Sequence, residues 1–432
     1  MFQRKIMTDL VEWKKNGAKK CLLVKGARQI GKTFIIREFA KQNYECIIEL
    51  NFLTEPKHKK FFNGSLDMNS IIENITSQIQ NTVFKKGKTL LYLDEIQECG
   101  QARTALKFIA EANKCDCIAS GSMLGVAYKQ ITSIPVGYEE QLEMFSMDFE
   151  EFIWANGYGE NATSVIKAYY DKKEKVPNEI HEHWLRLLRT YMIVGGMPSV
   201  VTEYVNTHNF GEVHKEQERI LASYLDDIGK YAPASEKPKV RACYQSIPTQ
   251  LAKENKKFQF AVVEKGANSR KFETSLEWLK DAGLIKFCYN VTTPVFPLIA
   301  YNQTGYFKVY GSDIGILTAM YGFEMKGAIL DNTIKGAVKG GIYESLIADI
   351  LLKKRKPLNY YKPSENRHEI EFLLTDKTEV IPLEVKSNNG STTSLNEFIK
   401  EFKTPYALKF IAGNIGEAET KLTLPLYLAM FL

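Results

Sequence analysis

The sequence contains few of the residues that build metal sites and disulfide frameworks. Its 432 residues include only seven cysteines and six histidines. The cysteine count is odd and no two cysteines have the C-x-x-C spacing of a metal site, while the nearest pair, Cys115 and Cys117, alternates along an apolar stretch. We therefore expect reduced, core-forming cysteines in a cytoplasmic protein.

Long apolar runs and a large charge of one sign are absent too. No segment reaches the roughly 18 consecutive apolar residues of a membrane-spanning helix, and the N-terminal MFQRKIMTDLVEWKKNG lacks the apolar core of a secretory signal, so we expect no membrane role. The net charge of +6, from 57 basic and 51 acidic residues, permits contact with nucleic acid without requiring it. The length exceeds what one hydrophobic core usually supports, which predicts two or three domains.

A glycine-rich loop is the strongest signal in the chain. Residues 26–33 read GARQIGKT, a G-x-x-x-x-G-K-[ST] pattern that lies between the apolar run 22–24 and a helical stretch. In this setting successive N–H groups and the helix N-terminus face a triphosphate, Lys32 contacts its β and γ phosphates, and the Thr33 hydroxyl suits Mg²⁺. The predicted nucleotide-binding residues are Gly26, Ala27, Arg28, Gln29, Ile30, Gly31, Lys32, Thr33 and Phe34.

Two acidic residues end a second apolar strand, residues 89–93. Asp94 is expected to hold Mg²⁺ through its water shell, and Glu95 to orient and deprotonate the attacking water, which makes Lys32 and Glu95 the predicted catalytic residues. The alternative is that the acidic pair caps the next helix. A third strand ends in Ser120-Gly121-Ser122, and either serine is a candidate sensor of the γ phosphate.

Segments with strand and helix spacing alternate as far as residue 120. This alternation predicts an α/β fold in which helices cover both faces of a parallel sheet. A later helix begins near His181 and ends at Gly195-Gly196-Met197-Pro198. His181-Glu182-His183 on that helix is predicted to lie at the surface, because alternate residues of a helix point to different faces and cannot share a metal.

Eight short motifs are spread over the chain: GARQIGKT (26–33), LYLDEIQ (91–97), SGSML (120–124), FEEF (149–152), GGMP (195–198), SDIGIL (312–317), GGIYE (340–344) and LEVKS (383–387). With these motifs the sequence resembles, over nearly its whole length, the archaeal-type P-loop ATPases of the AAA superfamily, whose C-terminal region is a domain of unknown function. The resemblance implies a domain that binds and hydrolyses ATP with Mg²⁺. Tyr138 stands where relatives often have a basic residue, so the resemblance supplies no arginine finger there.

The middle of the chain, residues 238–310, is patterned as three helices followed by extended segments. This order is typical of a winged helix-turn-helix, in which residues 269–279 would enter a DNA groove. The candidate DNA-contact residues are Lys256, Lys257, Arg270 and Lys271. The alternative is a solvated basic face on a domain that packs against its neighbours.

The C-terminal region combines carboxylates with a lysine. Glu384 and Lys386 alternate on an apolar strand, so they face the same side. That strand, 379–387, is expected to form a hairpin with 368–374, which carries Glu371. Glu344 lies on an earlier helix.

A helix at 395–402 and a strand at 407–412 complete an order that resembles the PD-(D/E)xK nuclease core. In that chemistry such carboxylates bind Mg²⁺ and the lysine steadies the nucleophile, which makes Glu344, Glu371, Glu384 and Lys386 the nuclease-like candidates. Glu371 stands where relatives usually have aspartate. The alternative is a nuclease-like scaffold without cleavage, or a salt-bridged sheet.

These patterns predict three domains: a P-loop ATPase domain with a helical extension at 1–200, a helical and winged-helix domain at 201–325, and a restriction-endonuclease-like domain at 326–432. The predicted function is ATP hydrolysis that repositions C-terminal DNA-associated domains, with double-stranded DNA and a protein as candidate partners. One alternative is a nucleotide-dependent switch that recruits a protein without contacting nucleic acid. Another is an ATP-regulated, metal-dependent DNA nuclease.

Overall fold

The computed structural model describes residues 2–122, 137–363, 369–386 and 392–432. The chain forms two compact units. The smaller unit comprises residues 3–145 and 281–283, and the larger one residue 2 and residues 146–280 and 284–432. Within the motifs and strands predicted above, residues 123–124, 368 and 387 lie outside the described residues.

A five-stranded parallel sheet organises the smaller unit, as the alternating pattern predicted. The order β2-β3-β4-β1-β5 places β4 between β1, which leads into the glycine-rich loop, and β3, which leads into Asp94. The central strands β3 and β4 are buried throughout, whereas the polar strand β5 lies at an edge. The elements are α1 Ile6–Lys15, β1 Cys21–Lys25, α2 Lys32–Asn43, β2 Cys46–Asn51, α3 Met68–Thr76, β3 Thr89–Asp94, α4 Gly100–Ala112, β4 Asp116–Gly121 and β5 Glu139–Glu143.

The larger unit begins with five helices. They are amphipathic, with their apolar faces buried against one another and against later elements. The helices are α5 Phe149–Ala155, α6 Glu160–Lys172, α7 Asn178–Val194, α8 Pro198–Thr207 and α9 Phe210–Tyr231.

The middle region has the predicted order of three helices and an antiparallel strand pair. However, β6 also pairs in parallel with β8, so that one three-stranded sheet contains residues from both sides of the boundary predicted at 325/326. The elements are α10 Lys237–Leu251, α11 Phe260–Val263, α12 Ser269–Asp281, β6 Ile285–Val291, β7 Asn302–Gly311, α13 Ile314–Met320, α14 Glu324–Leu330, α15 Gly336–Lys353 and β8 Asn359–Tyr360.

A second five-stranded sheet, of order β12-β13-β11-β10-β9, closes the larger unit. The predicted hairpin is present, with Ile381 opposite Leu374, and β10 runs parallel to β11 with a helix between them. The elements are β9 Phe372–Asp376, β10 Glu379–Val385, α16 Thr393–Phe402, β11 Ala407–Ile411, β12 Gly416–Ala418 and β13 Lys421–Pro425.

A buried cluster of charged residues connects Ser146, at the start of the larger unit, with residues that lie more than 150 positions later in the chain. Asp313 accepts hydrogen bonds from Ser146 Oγ at 2.6 Å and from the Gly196 N–H at 2.9 Å, and its Oδ2 lies 3.3 Å from Lys353 Nζ. Lys353 Nζ also lies 2.9 Å from Asp349, whose pKa burial raises to about 6 although Lys353 opposes the shift. We call this set the Asp313 cluster: Ser146, Tyr191, Gly196, Asp313, Asp349 and Lys353.

These contacts explain why the units divide after Phe145 and not at the boundary predicted near residue 200. Residues that directly follow β5 are already bound within the larger unit, since the Met147 N–H donates to Gly196 O at 2.7 Å. The predicted surface position of His181 is also wrong. His181 is buried, and its ring nitrogens lie 3.0 Å from Tyr427 OH and 3.2 Å from Ala412 O.

All seven cysteines are free thiols, and all but Cys46 are buried. In the described ranges no helix is long and apolar enough to cross a bilayer.

Adjacent glycines in α15 have opposite surroundings, which predicts opposite effects of alanine. A Cβ at Gly341 would overlap the Leu251 carbonyl oxygen, whereas a Cβ at Gly340 would meet nothing within 4 Å. We expect Gly341→Ala to lower the free energy of unfolding by about 1–3 kcal/mol through overpacking. Gly340→Ala is the matched control and should raise it by up to about 1 kcal/mol. Urea unfolding measures both, and effects of the same sign would contradict this packing.

Candidate functional site

The loop between β1 and α2 has a backbone that only glycine accommodates at two positions. Gly31, at the N-cap of α2, has φ 91°, in the left-handed region that side chains disfavour. Gly26 has φ 153°, and a Cβ there would overlap the carbonyl oxygen of Met144. Of the other predicted loop residues, Ala27 and Ile30 are buried, Arg28 is partly buried, and Gln29 and Phe34 are exposed. The loop therefore curls tightly around the start of α2.

Lys32 lies inside this curl. Its Nζ donates hydrogen bonds to Gly26 O at 2.9 Å and to Ala27 O at 2.7 Å, and the residue is 7% exposed. Burial lowers the pKa of Lys32 to about 8, while the carboxylates of Glu95 and Asp94 oppose the shift. An ammonium whose hydrogen bonds go to two neutral carbonyls can exchange them for phosphate oxygens.

Asp94 is the centre of a hydrogen-bond network at the carboxyl edge of the sheet. Its Oδ2 accepts from Thr33 Oγ1 at 3.1 Å and from Asn51 Nδ2 at 2.9 Å. Its Oδ1 accepts from Ser120 Oγ at 2.5 Å and from the Glu95 N–H at 3.1 Å. The structure thus brings together Thr33, Asp94 and Ser120, which the sequence had singled out separately.

The adjoining Thr33 and Asp94 oxygens suit a hard cation. Mg²⁺ prefers oxygen ligands and keeps several of its waters, so a hydroxyl beside a carboxylate fits its demands. Ser122 lies near the end of the same sheet edge, and its buried Oγ has no hydrogen-bond partner among the described residues. An unpaired buried hydroxyl is a suitable group to meet a ligand oxygen.

Glu95 has an unusual backbone. Its φ of 54° is in the left-handed region, which is uncommon for a residue with a side chain and is often found at functional sites. The side chain is partly exposed, accepts a hydrogen bond from Gln97 Nε2, and lies close enough to Lys32 to influence its pKa.

Two residues of the site were not identified from the sequence. Asn51 is the last residue of β2, and the rule that carboxyl ends of parallel strands converge would have found it. Arg4 donates to Ile30 O at 3.2 Å and to Phe145 O at 2.8 Å. It tethers the N-terminal segment to the loop, and no local pattern marks it.

The nuclease-like candidates also lie together, in the larger unit. Lys386 Nζ lies 2.9 Å from Glu371 Oε1 and 3.3 Å from Glu384 Oε1. Burial raises the pKa of Glu371 to about 7, Lys386 opposes this, and the carboxylates of Glu344 and Glu384 add to it. Glu384 is fully buried, and its nearest cationic group is the Lys386 ammonium, 3.3 Å from Oε1.

Glu344 has partners of its own. Its Oε1 accepts from Lys308 Nζ at 2.7 Å and from Tyr310 OH, and its Oε2 lies 3.2 Å from Lys256 Nζ. Burial opposes ionisation, but Lys308 and Lys256 lower the pKa of Glu344 to about 2. No group of three or more His, Cys, Asp or Glu residues in the described part of the chain is arranged to hold a metal ion.

The four predicted DNA-contact residues have different surroundings. Arg270 and Lys271 are exposed at the N-terminal end of α12, and Lys271 pairs with Glu264. Lys256, by contrast, points at the buried Glu344 carboxylate and is only 14% exposed. Lys257 Nζ lies 3.4 Å from the centroid of the Tyr306 ring. Of these four residues, only the α12 pair therefore forms an open basic end of a helix.

Several solved structures are similar to the chain at low identity. A Walker-type ATPase of Pyrococcus abyssi is 13% identical over 74% of this chain and 96% of its own, with a TM-score of 0.43. The structure of Drosophila ORC bound to DNA is 15% identical over 70% and 90%, with a TM-score of 0.28. A signal transduction ATPase with numerous domains from Pyrococcus horikoshii is 13% identical over 82% and 46%, with a TM-score of 0.25.

Family comparisons divide the chain into three matched segments. Residues 185–327 match a domain of unknown function, DUF8612, and residues 339–423 match another, DUF4143. No curated protein matches the chain. Residues 18–153 match the AAA domain, and this segment contains the glycine-rich loop, Asp94 and Glu95. The candidate site therefore lies in a segment that is similar to the AAA domain.

Proposed function

We propose that this protein binds ATP with Mg²⁺ at residues 26–34 and hydrolyses it. The observation that carries the proposal is the position of Thr33 Oγ1, 3.1 Å from Asp94 Oδ2, beside a loop whose carbonyls hold the Lys32 ammonium. A loop of N–H groups, one lysine and a hydroxyl–carboxylate pair is the set of groups that phosphoryl transfer from a nucleotide requires.

Each residue has a distinct role in this proposal. Lys32 exchanges the Gly26 and Ala27 carbonyls for β and γ phosphate oxygens, and so stabilises the charge that develops on them. Thr33 and Asp94 would hold Mg²⁺, which supplies further neutralisation of that charge when bound. Glu95 orients the attacking water and accepts its proton.

Neighbouring groups support these roles. Asn51 and Ser120 fix the orientation of the Asp94 carboxylate through its two oxygens. Ser122, whose hydroxyl is unpaired within the described residues, would contact the γ phosphate and report its loss.

We further propose that the nucleotide state repositions the larger unit. Within the smaller unit, the Met144 N–H donates to Lys25 O at 2.8 Å, and Met144 O leaves no room for a Cβ at Gly26. Within the larger unit, Ser146 is bound to Asp313. Three consecutive residues therefore join the phosphate-binding loop to the Asp313 cluster, and a shift at either end passes along the chain to the other.

The role proposed for the larger unit is contact with double-stranded DNA. Support comes from the order of α10, α11, α12 and the β6–β7 pair, which suits a winged helix, and from Arg270 and Lys271 at the exposed start of α12. The nuclease-like region is proposed to be a scaffold without cleavage, because lysines already pair with Glu344 and Glu371. The protein-recruiting switch and the active nuclease stay as alternatives.

Affinity for ATP should decrease as the pH rises above about 8. Burial lowers the pKa of Lys32 to about 8 in the free protein, and bound phosphates would raise it again. Above about pH 8 the free lysine has lost its proton, so ATP binding must take up a proton. The Kd should therefore rise with pH, by up to about tenfold per unit. Calorimetric titration from about pH 7 to about pH 9.5 measures this. A Kd of the natural protein that does not change with pH would contradict this prediction. So would an equal rise of Kd with pH in Lys32→Arg, because the guanidinium keeps its proton over this range.

Binding and turnover should separate between two substitutions. Lys32→Ala removes the phosphate contact and should abolish ATP binding. Glu95→Gln keeps the shape but not the base, so ATP should still bind while kcat falls by about 10²- to 10⁴-fold. Glu98→Gln, in the turn that follows Glu95, is the matched control and should keep full turnover. If Glu95→Gln hydrolyses ATP with the kcat of the natural chain, Glu95 is not the base.

Duplex DNA should bind through the start of α12 in a salt-dependent manner. We expect Arg270→Ala with Lys271→Ala to weaken binding and to reduce the slope of log K against log salt by about 0.9 for each phosphate that the variant no longer neutralises. Fluorescence anisotropy measures this, and the DNA should remain intact with Mg²⁺. Lys215→Ala with Arg219→Ala on α9 makes the same charge change at paired surface residues and serves as control. If duplex DNA does not bind, the result favours the protein-recruiting switch. If the DNA is cut, the result favours the nuclease.

A further inference from the structure

A small pocket lies beside the three-stranded sheet of the larger unit. Its volume is about 230 Å³, below the roughly 300–1,000 Å³ of sites that enclose whole cofactors, so it suits one flat ring with a substituent. The residues that matter for its chemistry are Lys257, Asn290, Gln303, Tyr306, Tyr360 and Lys362.

The polar wall of the pocket is built around a buried amide. Asn290, 4% exposed, donates through Nδ2 to Gln303 Oε1 at 2.6 Å and to Lys362 O at 3.3 Å, and its Oδ1 accepts from the Lys362 N–H at 2.8 Å. These bonds occupy the oxygen of Gln303, while its Nε2 has no hydrogen-bond partner among the described residues. The pocket thus presents amide donors held in a fixed position.

A half-exposed aromatic ring and two ammonium groups complete the pocket. Tyr306 is 50% exposed, and Lys257 Nζ lies 3.4 Å from its ring centroid. Lys362 is the second cation. Its acidic partner, Glu369, lies 3.8 Å away and is also paired with Lys308. An anion that carries a flat ring therefore meets two ammonium groups here.

We infer that this pocket binds a nucleotide: the base stacks on Tyr306, its acceptor edge meets the Gln303 amide, and the phosphate lies between Lys257 and Lys362. Stacking on an aromatic ring beside cationic groups is how proteins hold unpaired bases, and a paired base inside a duplex cannot reach such a ring. The inference extends the proposed DNA contact, on which it rests, by adding single-stranded nucleic acid. The same chemistry would accept a free mononucleotide.

The test compares a short labelled oligothymidylate with thymidine 5′-monophosphate, neither of which offers the triphosphate that the glycine-rich loop requires. We expect Tyr306→Ala to raise the Kd about tenfold or more and Tyr306→Phe to leave it nearly unchanged, because the ring and not the hydroxyl makes the contact. Lys257→Gln and Lys362→Gln should each weaken binding and reduce its salt dependence. Tyr406→Ala removes a comparably exposed tyrosine elsewhere and should have no effect.

The outcomes separate this site from the duplex contact. Tighter binding of the oligonucleotide identifies a strand as the ligand, and equal binding of the monophosphate identifies a free nucleotide; both support the pocket. If neither ligand binds, or if Tyr306→Ala binds like the natural chain, the inference fails. Duplex binding that depends on Arg270 but not on Tyr306 would leave the proposed function standing. Single-strand binding that depends on Tyr306, without duplex binding, would support the pocket and contradict the proposed duplex contact.

Discussion

The hydrogen bonds to the buried carboxylate of Asp94 are the interactions on which the candidate site depends. Its oxygens accept hydrogen bonds from Thr33, Asn51, Ser120 and the Glu95 N–H, so four separate segments meet at one group. A carboxylate taken out of water is costly unless donors surround it. The sheet order provides two of those donors, because β2 and β4 lie on either side of β3 and bring Asn51 and Ser120, at their carboxyl ends, to the same edge. The order of the strands thus determines where the Asp94 oxygens and the neighbouring Glu95 lie.

The larger unit uses buried charge in a different way. Asp313 and Glu344 are each surrounded by partners that come from distant parts of the sequence, and breaking such a buried pair generally costs about 3–5 kcal/mol although the pair adds little over an apolar contact. These clusters therefore determine which segments pack together more than they raise stability. Glycines make the same arrangement possible, since Gly196 and Gly315 allow backbones to approach where any side chain would overlap a carbonyl oxygen.

Local features were predictable from the sequence and long-range ones were not. The loop at 26–33, the position of Asp94 and the β9–β10 hairpin all follow from patterns within about thirty residues or fewer. Arg4 bonds to Phe145, and His181 is covered by Tyr427, contacts that no periodicity encodes. The domain boundaries differ for the same reason, because β8 joins a sheet whose other strands precede it by more than 40 residues. Alternation showed that His181 and His183 face apart, but not which of them a later segment would cover.

The covering of His181 by Ala412 and Tyr427 has a consequence for biosynthesis. Helix α7 emerges from the ribosome more than two hundred residues before the segments that shield its apolar side. The last strand of the first sheet ends at residue 143, so that core can collapse early, while the apolar side of α7 stays uncovered until residues 412 and 427 have been made. During that interval the nascent chain exposes an apolar helical surface of the kind that aggregates or is bound by chaperones.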